Sequence, residues 1–162
     1  MRKHVIALTL IGFLGLTGTA AAVNPRAGGF RGKVHYKVYT GGGAKGKTGH
    51  ISFAVRHRRI IAVSLFGSFL RDDKTGQTTC NQPEFDAPVG GVAKIKHGKI
   101  GRSGAFKATI TDSVDTVVLQ GKFTGPKKVK GSFTWTHTGG AHCHSDTLHF
   151  KAKYIPHSGF PG

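Results

Sequence analysis

Ala141-His142-Cys143-His144-Ser145-Asp146 gathers the side chains best suited to chemistry. Successive residues of a strand point to opposite faces, so His142 and His144 would share one face and Cys143 the other. Two imidazoles on one face can chelate Zn or Cu, with His137 or His149 as a third ligand. Against that reading, H-x-H is a short pattern, and a disulfide explains Cys143 more simply. Ser145 between His144 and Asp146 is not a triad, because triad members meet in space and are seldom sequence neighbours. Asp112 and Asp115 form the other pair to weigh. A glycosidase needs two carboxylates across a cleft, but these flank a predicted turn, where Asp is a favoured residue. The chain has no G-x-S-x-G elbow, H-E-x-x-H or Walker pattern. No catalytic residue is assigned, and no cofactor is implied.

The other chemical resource is positive charge. Twenty-four Lys and Arg stand against seven carboxylates, a formal net charge of +17. Arg31, Lys33, His35 and Lys37 alternate along one segment. Arg56, His57, Arg58 and Arg59 crowd a turn. Lys127, Lys128 and Lys130 follow a second turn, and His149, Lys151 and Lys153 alternate near the end. If the first and last strands are neighbours, these rows merge into one basic surface. Such a surface holds phosphate or carboxylate polymers by charge. The candidate contacts are Arg31, Lys33, Lys37, Arg58, Arg59, Lys128, Lys130, Lys151 and Lys153. Tyr39 is the one aromatic residue placed for base stacking, so sequence-specific recognition of nucleic acid is not expected. The competing explanations are solubility and protection of sheet edges. The histidines add a lever, since imidazoles gain charge on acidification and binding to a polymer that stays anionic would tighten.

The elements that must position these residues are strands. Phe30, Val34, Tyr36 and Val38 point one way while Arg31, Lys33, His35 and Lys37 point the other, as in a half-buried strand. Ile51, Phe53 and Val55 alternate with Ser52, Ala54 and Arg56. Ile60 to Phe66 is nearly continuous in apolar residues and reads as a strand covered on both sides. Val92 to Ile100 is a weaker strand. Phe106, Ala108 and Ile110 alternate with Lys107 and Thr109, and Leu148, Phe150, Ala152 and Tyr154 with His149, Lys151 and Lys153. Val117, Leu119, Gly121 and Phe123 share a face, Gly125-Pro126 turns the chain, and Val129, Gly131, Phe133 and Trp135 share the face of the return strand. Arg71 to Gly91 reads as a long connection. No segment after the leader keeps a helical period. The expected fold is all-β: a single antiparallel β-sandwich of about 8–9 short strands, or alternatively an up-and-down β-barrel.

Residues 1–22 have the layout of a secretory signal peptide: a cationic start, an apolar run from Val5 to Leu16 and Ala20-Ala21-Ala22 before the cut. The run is too short for a transmembrane anchor of about 20 residues. The mature protein is therefore expected to be residues 23–162, secreted or extracytoplasmic, with no membrane span and a flexible C-terminal tail from about 155. Exported chains oxidise paired thiols, and Cys80 and Cys143 allow one intramolecular bridge. The alternative is two free thiols or a metal pair.

These stretches also resemble a family of small secreted all-β proteins of soil actinobacteria and their relatives. The likeness is carried by Ile51-Ser52-Phe53-Ala54-Val55, Cys80, Gly104-Ala105-Phe106, Gly121-Lys122-Phe123, Lys128 to Phe133, Cys143 and Phe150-Lys151-Ala152. It implies the fold and brings no catalytic residues. The functional expectation is a non-enzymatic binding or surface-associated module with affinity for anionic polymers or the cell-envelope surface. The alternative is a small-ligand carrier with a barrel cavity, and the third reading is a hydrolase without a recognisable motif. No oligomeric state is specified by the sequence.

Overall fold

The computed structural model describes residues 22–80, 82–88, 90–140 and 142–156. The leader expected over residues 1–22 lies outside them except for Ala22, and so does the tail beyond residue 156. The described residues form strands and no helix: β1 Gly28–Thr40, β2 Gly43–Arg56, β3 Arg59–Phe66, β4 Arg71–Asp72, β5 Glu84–Ala87, β6 Lys94–Lys96, β7 Ala105–Thr111, β8 Asp115–Gly125, β9 Lys128–His137, β10 Cys143–His144 and β11 Leu148–Ile155. The count exceeds the expected eight or nine because β4 and β10 have two residues each and β6 has three. Segments that short show no alternation to read. β4 and β5 fall inside the stretch expected to be a plain connection.

All pairings are antiparallel and belong to one sheet, in the order β5-β3-β2-β1-β11-β9-β8-β7-β6. The first long strand lies beside the last, and the chain otherwise runs from neighbour to neighbour. The sheet curls until its two ends almost meet. Arg59 bridges Lys99, the Ile60 amide donates to Gly98 O at 2.9 Å, and the Ile100 amide donates to Arg58 O at 2.8 Å. The result is a nearly closed barrel whose facing walls pack as two layers, compatible with either expected architecture.

The wall residues alternate as the sequence predicts. Val34, Ile51, Phe53, Val55, Phe106, Ile110, Leu119, Phe123, Phe133, Trp135, Leu148 and Phe150 are buried, while Arg31, Lys33, Lys37, Lys107, Lys151 and Lys153 are exposed. Tyr36 is only half-buried because its hydroxyl reaches the rim, where it accepts from the Ser68 amide at 3.2 Å. Aromatic rings fill the interior. Phe30 stacks on Phe53 at 5.5 Å and meets Phe123 edge-on at 5.2 Å. Trp135 contacts Phe69 and Phe85, two rings contributed from outside the long alternating strands. Each such ring, once buried, stabilises the fold by about 1.5–3 kcal/mol.

One glycine pair makes this packing fit. Gly121 and Gly131 face each other across β8 and β9. A Cβ on Gly131 would stand 2.6 Å from the Phe150 ring, and one on Gly121 would stand 3.0 Å from Phe106. Both rings therefore lie directly on bare backbone.

Candidate functional site

The register of the sheet stacks the basic residues across strands. Lys122 of β8 faces Lys130 of β9, Lys130 faces Lys151 of β11, Lys151 faces Lys33 of β1, and Lys33 faces His50 of β2. A second row runs beside it: Lys128 of β9 faces Lys153 of β11, which faces Arg31 of β1. All seven of these Lys and Arg side chains are exposed. Directly opposed residues lie about 4.5–5.5 Å apart at Cβ, so each like-charge pair costs stability.

On the other side of the lysine row stand Gln120, Ser132, His149 and His35. Gln120 Nε2 donates to Ser132 Oγ at 3.3 Å, and the His35 ring contacts the Thr48 hydroxyl at 3.2 Å. The two rows border a groove of about 880 Å³ that passes over Gly121 and Gly131. It lies on the outer face of the barrel, whose interior is occupied by rings.

Carboxylates are kept off this face. Asp112 and Asp115 lie at the β7–β8 turn, Asp72, Asp73 and Asp146 around β4 and β10, and Glu84 and Asp86 on β5. Among the described residues the ion pairs are Arg71–Asp146, His137–Asp115 and His144–Asp73, and none involves a lysine.

The structure thus brings together Arg31, Lys33, Lys128, Lys130, Lys151 and Lys153. Lys37 shares their side of β1 but faces Gly46, four residues or about 13 Å beyond Lys33 and past the β11 pairing. Arg58 and Arg59 lie apart from these rows. Both sit at the seam where the barrel closes. The Arg58 guanidinium donates to Ile100 O at 3.3 Å, Val23 O at 3.1 Å, Asn24 Oδ1 at 3.5 Å and Gly101 O at 2.6 Å. It is a clasp, not a free cation. The clasp also holds a hairpin turn whose two central residues, His57 and Arg58, have φ of 47° and 57°, values usually left to Gly or Asn.

Lys122, Gln120 and Ser132 are absent from the sequence-derived list. Alternation around Gly121 and Phe123 would have found Lys122 and Gln120, since both fall on the opposite side of β8. Phe66 was missed for a different reason. It closes an apolar run that reads as covered on both sides, yet it is 57% exposed and faces His50 across β2 and β3. Tyr39, the expected stacking residue, is occupied: the Arg71 guanidinium lies over its ring at 4.8 Å.

Among the described residues the H-x-H pair belongs to no group of three close ligand atoms. Cys143 is bonded to Cys80, with Cα atoms 6.5 Å apart, and His144 Nδ1 binds Asp73. Among the described residues the one group of three close ligand atoms is Asp72, Cys80 and Cys143, whose two sulfurs belong to the disulfide. The Asp72 carboxylate has its own task. It accepts from the Thr75 amide at 2.8 Å and the Lys74 amide at 3.0 Å. The Thr75 amide bond, foremost, holds its pKa below the ordinary carboxylate value.

The Asp112–Asp115 pair is structural in its contacts. Asp112 Oδ1 accepts from the Val114 and Asp115 amides at 2.9 and 2.7 Å, an Asp-headed turn. Asp115 is buried, accepts from the Trp135 indole at 2.6 Å and meets His137 Nδ1 at 2.9 Å. His137 Nε2 in turn faces Gly139 O at 3.0 Å. This network ties the loop after β9 to the start of β8. In comparisons with known proteins the chain matches no family model and no curated protein.

Proposed function

We propose that this is an exported, non-enzymatic β domain that binds anionic polymers on the outer face of β8, β9, β11 and β1. It is read as a relative of the small secreted actinobacterial proteins that it resembles. One observation carries the reading. Lys122–Lys130, Lys130–Lys151, Lys151–Lys33, Lys128–Lys153 and Lys153–Arg31 are opposed like charges. Solubility needs charge, but it does not need charge stacked in register, which costs roughly 0.2–1 kcal/mol per pair. A polyanion laid across the strands converts that repulsion into attraction and releases its counterions. The disulfide fits an oxidising, extracytoplasmic setting. No helix among the described residues is long and apolar enough to cross a membrane.

The test is binding of inorganic polyphosphate at several salt concentrations. Wild type should bind with a log–log salt slope of several units, about −0.7 to −0.9 per phosphate neutralised. Lys33→Glu, Lys130→Glu and Lys151→Glu combined should abolish binding and change the thermal midpoint little, because the opposed Lys pairs become opposed Glu pairs. Equal reversal of Lys94, Lys96 and Lys107 should have a smaller effect. Loss of binding that is the same for both triple variants would reduce the face to bulk charge.

A further inference from the structure

The lysine row does not stop at β1. Lys33 faces His50, His50 faces Phe66, and Phe66 faces Glu84 of β5. One transverse line thus carries cations, then an imidazole, then a ring, then a carboxylate that ends it. Large apolar side chains on this protein are otherwise covered: among the described residues Phe66 and Val92 are the exposed exceptions. Val92 lies in the loop before β6, away from this line. Phe66 stands in register with the charge.

We propose that this line is a binding site for single-stranded nucleic acid, with phosphates on Lys33, Lys130, Lys151 and Lys122 and a base stacked on Phe66. The inference rests on the polyanion reading of the face and narrows it to a polymer that carries flat rings. A cationic track beside an exposed aromatic is the combination that binds unpaired strands without reading their sequence, because every base offers a π-face. Lys33 and Phe66 are two strands apart, about 10 Å, a distance a nucleotide spans from its phosphate to its base. His50 sits between them, half-buried, where the sugar would pass. Glu84 repels the backbone beyond Phe66, so the track has a direction and an end. Duplex DNA fits less well, since its bases are stacked on one another and offer Phe66 no face.

The experiment compares an oligothymidylate, an abasic oligomer of equal length, polyphosphate and a polyuronate on the full mature chain. Wild type should bind the oligothymidylate more tightly than the abasic oligomer. Phe66→Ala should weaken oligothymidylate binding by at least about fivefold, the lower end for one stacked base, and leave polyphosphate and abasic binding unchanged. Phe66→Trp supplies a readout independent of affinity. The chain has a single tryptophan, Trp135, which is fully buried. The new indole should be quenched by the oligothymidylate and not by polyphosphate.

Equal loss of all ligands on Phe66→Ala, or no quenching by the oligothymidylate, overturns the stacking site. So does a Phe66 effect confined to the polyuronate, which would assign the ring to a sugar. If Phe66→Ala is silent but the lysine reversals abolish binding, the nucleic-acid inference fails and the polyanion face stands. If the lysine reversals are also silent, both fail.

Discussion

Two regions of this barrel handle charge in opposite ways. Around β4, β10 and the start of β8, carboxylates are matched one by one: Arg71 to Asp146, His144 to Asp73, His137 to Asp115. The Cys80–Cys143 bridge and the β10 pairings to β4 and β9 tie the same region together. Across β8, β9, β11 and β1, like charges face each other with no carboxylate between them. The first region spends its polar groups on holding the chain. The second keeps them unmatched at a cost to the fold. The contrast teaches that the strapped end supplies stability which the outer face draws down. Predictions that separate the two roles therefore test both readings together.

The largest effect should come from the strap. The bridge closes a loop with a sequence separation of 63, and in the chain-entropy model such a constraint contributes about 4 kcal/mol. Cys80→Ser with Cys143→Ser should lower the thermal midpoint by roughly 10 °C or more. Below that midpoint polyphosphate binding should persist, because no residue of the lysine row lies on β4 or β10. If the folded variant no longer binds, the strapped end and the face are not separate regions.

A smaller loss is expected at the seam. Arg58 donates to carbonyls from two segments, residues 23–24 and 100–101, which are also joined by the Val23 amide donating to Arg102 O at 3.0 Å. Hydrogen bonds from a charged donor are worth about 1.5–3 kcal/mol when they cannot be replaced. Arg58 is partly exposed, so Arg58→Ala should cost about 2 kcal/mol. Urea unfolding measures this directly. Polyphosphate affinity should fall only slightly. A large affinity loss with unchanged stability would return Arg58 to the binding face.

How much of this was legible beforehand follows from period and range. Alternation is local, so the inward set Val34, Phe53, Phe123 and Trp135 and the outward set Arg31, Lys33 and Lys151 could be read directly. Merging the outward rows required only that the first strand lie beside the last, which the Gly29–Ile155 to Val34–Phe150 register supplies. The clasp role of Arg58 was not legible, because a turn arginine looks the same whether its guanidinium meets solvent or carbonyls about 40 residues away in the chain. Phe66 was hidden by its neighbours: an apolar run implies two covered faces only while the sheet is covered to its end. Phe69 entered the core from outside the strands, where no pattern announces which side is inward, and Phe85 from β5, whose Glu84–Ala87 alternation is too short to stand out from a connection.

The face itself gives the most discriminating stability prediction, because its sign is unusual. Lys151 is opposed by Lys33 on one side and Lys130 on the other. Lys151→Glu replaces two repulsions with two attractions. Stability at low salt should rise by a few tenths to about 1 kcal/mol, and the gain should shrink as salt is added. Polyphosphate affinity should fall in the same variant. Opposite signs for stability and binding are what a face kept for a ligand predicts. A charge kept for solubility predicts the same gain in stability without the loss of affinity.

The smallest effect returns to the strapped end, at Asp72. Its carboxylate accepts the Thr75 and Lys74 amides, shaping the turn between β4 and Cys80. The Thr75 backbone bond chiefly holds its pKa below the ordinary carboxylate value of 3.8. A depressed carboxyl contributes stability that is present above its unfolded pKa and lost as pH falls through the folded one. The loss therefore begins below about pH 4 and deepens with further acid. Asp72→Asn retains the acceptor oxygen but removes the charge, so it should flatten this part of the pH–stability curve while changing the neutral-pH midpoint little. Amide exchange at Lys74 and Thr75 should accelerate on acidification in wild type relative to its intrinsic rate, and the variant should not show that acceleration. A curve for Asp72→Asn that still bends in the same acid window would place the titrating group elsewhere among the carboxylates of this end, with Asp73, Asp115 and Asp146 the next to substitute.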